Sequence, residues 1–141
     1  MQEVVLYSDG SCLKNPGPGG WASILVCRGV EKELCGGEAD TTNNRMELTA
    51  VIEGLSILKF PCRVYVVTDS QYVVNAFKNG WIYNWKEQGF SGRPNADLWI
   101  KLFDLVVEHQ VTFTWIKGHA GHEYNERCDK LAKREASKFR Y

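Results

Sequence analysis

The sequence has no apolar run approaching the roughly 20 residues that a membrane-spanning helix needs, no internal repeat and no low-complexity stretch. Met1-Gln2-Glu3 passes straight into Val4-Val5-Leu6-Tyr7, without the basic stretch and cleavable apolar segment of an export signal. These absences predict no membrane partner and a cytoplasmic location. The five cysteines (Cys12, Cys27, Cys35, Cys62 and Cys128) are odd in number and never form a CxxC pair. That spacing excludes a zinc ribbon and a disulfide framework, and it predicts free thiols in a reducing compartment. Net charge is also missing, since 17 basic residues meet 17 acidic ones. A zero total argues against a uniformly basic nucleic-acid binder but says nothing about patches.

The charge is unevenly laid out. Residues 1–58 carry four basic and eight acidic side chains, whereas residues 117–141 carry seven basic and four acidic ones. If four carboxylates were bound to metal, the remainder would be a cation of +4 that phosphates can feel. The length of 141 residues and a hydrophobic fraction of 44% suit one globular domain covering the chain.

Periodicity gives an element order. Val4–Asp9, Trp21–Val26 and Glu31–Gly37 read as strands, the last two joined at Arg28-Gly29, with a turn-rich loop over Lys14–Gly20. From Asn43, the residues Leu48, Val51, Ile52, Leu55 and Leu58 fall at helical spacing up to Pro61. Val64–Thr68 is an apolar strand of the kind covered on both faces. Ser70 predicts an N-cap for a helix that stops at Asn79-Gly80. A short helix at 81–87, a loop over Gly89–Pro94, a helix through Leu98–Val106, a strand at Val111–Ile116 and a helix from Glu123 complete the chain. Hairpins followed by alternating helices and strands predict an α/β mixed sheet with helices on its faces.

Four acids occupy positions where structural carboxylates are not expected. Asp9 ends a strand, Asp69 ends the most apolar strand, and Glu47 and Asp129 lie beside the inner stripes of their helices. Each alone has an ordinary explanation: a turn at Asp9-Gly10, a cap at Asp69-Ser70, a surface pair of Glu47 with Arg45 or Lys59, or one of Asp129 with Arg127 or Lys133. If they converge, two unit charges about 4 Å apart repel by roughly 4 kcal/mol at an effective dielectric of 20. Such a cluster requires cations, and oxygen-only ligands select Mg²⁺ or Mn²⁺ over zinc. Two ions held this way suit hydrolysis of a phosphodiester.

The segments around these acids carry longer motifs. Ser8-Asp9-Gly10-Ser11-Cys12 with Asn15-Pro16-Gly17-Pro18-Gly19-Gly20, then Thr41 to Leu48, Thr68 to Val73, and Trp115 to His122 continuing through Asn125 to Asp129, resemble bacterial type 1 ribonuclease H in collinear order. The resemblance implies a ribonuclease H-like fold: a five-stranded mixed sheet, three strands antiparallel and two parallel to the first, with helices on both faces. It implies a single catalytic domain over 1–141 with no separate hybrid-binding domain, acting as a monomer on RNA–DNA hybrid duplexes. The expected reaction is two-metal hydrolysis of the RNA strand, leaving 5′-phosphate and 3′-hydroxyl ends, with two Mg²⁺ per site when substrate is bound and Mn²⁺ as substitute. Asp9, Glu47, Asp69 and Asp129 match the metal-binding carboxylates, and His119 matches a mobile-loop histidine that moves protons.

By the same resemblance Cys12, Asn15, Asn43, Asn44 and Gln71 are candidates for reading the strands, Thr42 and Asn95 for a phosphate pocket, and Trp81 for contact with a deoxyribose. Read without the resemblance, Asn43 and Asn44 would be helix caps and Trp81 a core residue. Asp40 stands near the phosphate pocket where some relatives carry arginine. The segment from Trp85 to Trp99 lacks a lysine-rich protrusion and offers only Lys86 and Arg93 against Glu87 and Asp97. Two other readings of the motifs are a non-catalytic hybrid-binding module and a same-fold DNA nuclease of the integrase or resolvase type.

Overall fold

The computed structural model describes residues 1–118 and 121–140. Its elements run β1 (Glu3–Cys12), β2 (Gly17–Cys27), β3 (Val30–Thr41), α1 (Asn43–Ser56), β4 (Arg63–Thr68), α2 (Gln71–Lys78), α3 (Trp81–Glu87), α4 (Ala96–Glu108), β5 (Gln110–Trp115) and α5 (Glu123–Ser137). The five strands form one sheet in the order β3-β2-β1-β4-β5. β1 pairs antiparallel with β2 and β2 with β3, while β4 runs parallel to both β1 and β5. This is the mixed sheet expected from the sequence.

Alternation along the strands separates two cores. Val4 and Leu6 of β1 join Val64 and Val66 of β4 beneath α1, α2 and α4. Ala22 and Ile24 of β2 pack on the other side against Cys128 and Ala132 of α5, with Tyr7 at the edge. Helices therefore cover both faces. On β4, however, Tyr65 and Val67 are only half-buried, so the apolar run Val64–Thr68 is fully covered on one face alone. Apolar composition reports a strand's average surroundings, and α5 packs over β1–β3 rather than β4.

Local signals hold in most places. Arg28 and Gly29 take φ of 52° and 77°, the paired left-handed residues of a tight hairpin turn. Ser70 caps α2 by accepting from the Val73 N–H at 3.3 Å, and Thr42 caps α1 by accepting from the Arg45 N–H at 3.2 Å. The turn-rich reading of Lys14–Gly20 needs correction, because Gly17–Gly20 belongs to β2. Those glycines serve close approach instead of a turn: a Cβ on Gly20 would run into the Ala132 carbonyl of α5. All five cysteines are free, with Cys62 and Cys128 buried, as expected. Among the described residues no helix is long and apolar enough to cross a membrane.

Candidate metal centre and adjoining groove

The acids meet where the parallel pairing of β1 with β4 stops. Asp69 follows the last residue of β4, but Asp9 does not end its strand as expected, since β1 continues to Cys12 against β2. Tyr7 of β1 is in register with Val67 of β4, so Asp9 and Asp69 lie two residues further on at the same sheet edge. Carboxyl ends of parallel strands are the usual ligand position in such sheets. Glu47 comes from the first turns of α1, and Gly10 explains how it arrives. A Cβ at Gly10 would collide with the Met46 and Glu47 backbone, so only glycine lets the helix start cross the strand this closely.

Asp9, Glu47 and Asp69 each place a carboxylate oxygen within 4.8 Å of the others. Asp9 is buried at 7% exposure, and its Oδ1 accepts from the Gly10 N–H at 2.9 Å. Burial, then the charges of Asp69 and Asp129, push its pKa up to about 8. Glu47 is raised well above the carboxylate range, first by burial and then by Asp9 and Asp69. Among the described residues its Oε1, which is buried, has no hydrogen-bond partner. A buried carboxylate oxygen left unbonded beside two further acids is the donor set that a hard divalent cation satisfies. The residues fit such an ion.

Asp129 joins this set differently. It reaches the Asp9 carboxyl from α5, but its Oδ2 also pairs with Lys133 Nζ at 3.0 Å. The ordinary i,i+4 surface pair is therefore present alongside the convergence. Arg45 does not pair with Glu47 as the surface reading supposed; it is committed to Asp97.

Around the acids the cleft is completed by Ile116, Lys117, Gly118, His122, Asn125 and Glu126. A Cβ on Gly118 would come 2.8 Å from Asp69 Oδ2, so the chain after β5 passes directly over that carboxylate. The Trp115 indole N–H donates to the Asp69 carbonyl at 3.0 Å. Asn125 Nδ2 donates to the Val67 carbonyl at 3.3 Å, and its buried Oδ1 has no partner among the described residues. Sequence reasoning did not single out Asn125 or Glu126, although their spacing of four and three residues before Asp129 puts all three on one face of α5. His119 lies outside the described residues.

A groove adjoins this centre, lined by Asn44, Gln71, Tyr72, Trp81, Arg93 and Asn95 among others, with a volume of about 460 Å³. It gathers four of the substrate-binding candidates, Asn44, Gln71, Trp81 and Asn95. Trp81 is 47% exposed, which removes the core reading. The groove's polar groups are tied together. Arg45 donates to both Asp97 oxygens at 3.0 and 2.8 Å and to Asn95 Oδ1 at 3.3 Å. Asn95 Nδ2 and Trp99 Nε1 both donate to the Tyr72 hydroxyl, at 3.0 and 3.2 Å.

The remaining candidates sit nearer the β1–β2 turn. Asn15 Oδ1 accepts from the Asn43 N–H at 3.3 Å, and Cys12 Sγ donates to the Lys14 carbonyl at 2.9 Å. Asp40 is exposed near the end of β3, two residues before the Thr42 cap. Asp97 does not oppose Arg93 as its sign alone suggested, because Arg45 engages both of its oxygens and holds its pKa down to about 2.

Comparison with known proteins gives a consistent set of similarities. The RNase H family model matches residues 1–137. Ribonuclease HI of Neisseria meningitidis serogroup B is 57% identical over 143 residues, covering 98% of each chain. Ribonuclease H of Pseudomonas fluorescens is 53% identical over 145 residues, covering 99% of this chain and 94% of that one. Among solved structures, LC9-RNase H1, a type 1 RNase H with the type 2 active-site motif, superposes with a TM-score of 0.86 at 33% identity, over 98% of this chain and 74% of the other. LC11-RNase H1 in complex with RNA/DNA hybrid shares the fold at a TM-score of 0.70 and 23% identity, over 96% of this chain and 97% of that one.

Proposed function

This chain belongs to the RNase H family of enzymes, and on that premise we propose that it hydrolyses the RNA strand of RNA–DNA hybrids at the carboxylate cluster, leaving 5′-phosphate and 3′-hydroxyl ends. The observation that carries this reading is the meeting of Asp9, Glu47 and Asp69 oxygens within 4.8 Å, with Glu47 Oε1 buried and unbonded. When bound, two divalent cations, Mg²⁺ or Mn²⁺ in its place, would supply Lewis-acid activation of water and neutralisation of the leaving oxygen.

The protein's own contribution is to hold and orient. Asp9, Glu47 and Asp69 supply the shared ligand oxygens, and Asp129 adds a fourth carboxylate whose charge Lys133 partly offsets. The Trp115 indole holds the Asp69 backbone carbonyl, and the Gly118 backbone lies close to the Asp69 carboxylate. His119, between Gly118 and Gly121 in the sequence, serves as the proton-moving group.

Substrate choice comes from the adjoining polar surface. Asn43, Asn44 and Gln71 are exposed beside the acids and carry both donors and acceptors, which suits reading 2′-hydroxyls in a shallow minor groove. Cys12 and Asn15 extend that edge, Thr42 and Asn95 hold a backbone phosphate, and Trp81 offers a flat apolar face to a deoxyribose. The test is cleavage of RNA–DNA, RNA–RNA, DNA–DNA and single-stranded RNA, each with Mg²⁺ and with EDTA, followed by analysis of the ends. Cutting confined to the RNA of the hybrid and dependent on Mg²⁺ is expected. A hybrid that is bound but left uncut in Mg²⁺, or equal cutting of DNA–DNA, would overturn the proposal.

A further inference from the structure

The segment between α3 and α4 presents an arginine to the groove with more scaffolding than a surface loop requires. Its backbone is bent by four residues in the left-handed region: Gly89 (φ 65°), Phe90 (φ 59°), Gly92 (φ 69°) and Asn95 (φ 60°). Phe90 is a bulky residue in a conformation that disfavours it. Burial to 6% exposure and an edge-on contact with Phe103, centroids 6.3 Å apart, hold it there. The Phe90 N–H donates to the Trp85 carbonyl at 2.7 Å, the Arg93 N–H to the Phe90 carbonyl at 3.1 Å, and the Ala96 N–H to the Arg93 carbonyl at 3.2 Å. The Arg93 backbone is thus pinned on both sides.

Its side chain is pinned as well. The guanidinium lies over the Trp85 ring, 4.2 Å from the centroid, and lines the groove beside Trp81 and Asn95. None of the ion pairs found among the described residues involves Arg93, and Asp97 is taken by Arg45. A guanidinium held over an indole by a cation–π contact keeps N–H donors available, and its fork can receive a phosphate with two parallel hydrogen bonds. The other cation of this segment is placed differently: Lys86 Nζ sits over Phe103 at 5.8 Å and does not line the groove.

We infer that Arg93 is a phosphate clamp, its guanidinium held over the Trp85 ring to receive a backbone phosphate of the nucleic-acid strand lying over the groove. This rests on the proposed hybrid substrate and adds one fixed contact in a chain without a lysine-rich protrusion. The experiment measures equilibrium binding of labelled RNA–DNA hybrid in EDTA, where nothing is cut, across a salt series. It compares wild type with R93Q, R93K and K86Q. Arg93 is exposed and its backbone bonds do not involve the side chain, so these variants keep the fold.

R93Q is expected to bind about tenfold more weakly at low salt, with its log–log salt slope shallower by close to one unit. R93K should restore the slope yet remain several-fold weaker, because an ammonium neither stacks nor forks, and K86Q should stay within about twofold of wild type. An unchanged slope in R93Q would overturn the clamp. So would an R93K protein indistinguishable from wild type, since any exposed cation would then serve. Wild type that fails to bind hybrid at all would instead remove the substrate reading and the clamp together.

Discussion

The carboxylate end and the groove beside it are built on opposite electrostatic principles. At the sheet edge, like charges are gathered and partly buried, Glu47 Oε1 has no partner, and Asp9 and Glu47 have pKa values raised far above the carboxylate range. In the groove, Arg45, Asp97, Asn95, Tyr72 and Trp99 satisfy one another in a continuous network of hydrogen bonds. One region is left unfavourable by itself, so that cations relieve it. The other is completed in advance, so that a substrate seated there, as proposed, would meet groups already in place. Substitutions should therefore separate the two: at the acids activity falls while the metal-free fold gains, and in the groove stability falls while turnover persists.

The largest effect is expected from D69N. Loss of a metal-ligand charge should remove Mg²⁺-dependent cleavage almost completely, whereas thermal stability in EDTA should rise because like-charge repulsion is reduced. Full activity in D69N would break the comparison at its base. H119A should be milder, slowing turnover by roughly 10²–10⁴-fold with near-normal hybrid binding, as for loss of a proton-transfer group. An H119A protein as inactive as D69N would assign that histidine to holding the metal.

Next in size is a pH dependence of stability in the metal-free protein. Asp9 has a folded pKa of about 8 against an ordinary 3.8, so between those values the folded state holds a proton that the unfolded chain has lost. Its contribution to stability is complete below the unfolded value and is lost as pH rises through the folded one. Glu47 acts in the same direction. Since one unit corresponds to about 1.4 kcal/mol, melting in EDTA should fall by a few kcal/mol equivalent between about pH 5 and about pH 8.5. D9N or saturating Mg²⁺ should flatten that slope. A flat wild-type profile in EDTA would show that the acids do not crowd one another.

How much of this was legible in the sequence depended on the range of the interaction. Ser70 as a cap, Arg28-Gly29 as a turn and Asn79-Gly80 as a stop are local events, and Gly80 takes the expected left-handed φ of 72°. Asp69 stood out because it follows an apolar strand, and it does lie just past the end of β4. Asp9 stood out by the same contrast, yet β1 continues through it to Cys12, because pairing with β2 carries the strand on where the apolar run stops. Gly17–Gly20 were misread because composition cannot distinguish a glycine that turns from one that lets α5 lie against the sheet. Arg45 and Asp97 are 52 residues apart, so no window reveals their pairing. The counting of Asp97 against Arg93 failed for the same reason. The Asp129–Lys133 pair, at i,i+4, was visible from spacing and is present beside the approach of Asp129 to Asp9.

The smallest effect tests the groove's half of the comparison. Y72F keeps the ring that packs on Trp99, centroids 5.3 Å apart, but removes the oxygen that accepts from Asn95 Nδ2 and Trp99 Nε1. Trp99 is fully buried, so its N–H would lose its partner without gaining access to water. An orphaned buried donor costs about 1–3 kcal/mol, and chemical denaturation should show a loss in that range, in EDTA and in Mg²⁺ alike. Asn95, freed at one end, would hold the proposed phosphate less firmly and raise the Michaelis constant a few-fold. Turnover at saturating hybrid should be near wild type, because the network touches none of the acids and supplies binding common to ground and transition states. A Y72F protein that keeps its stability but loses turnover would mean that the groove and the acids form one coupled unit, and the division between a region awaiting cations and a region already satisfied would have to be abandoned.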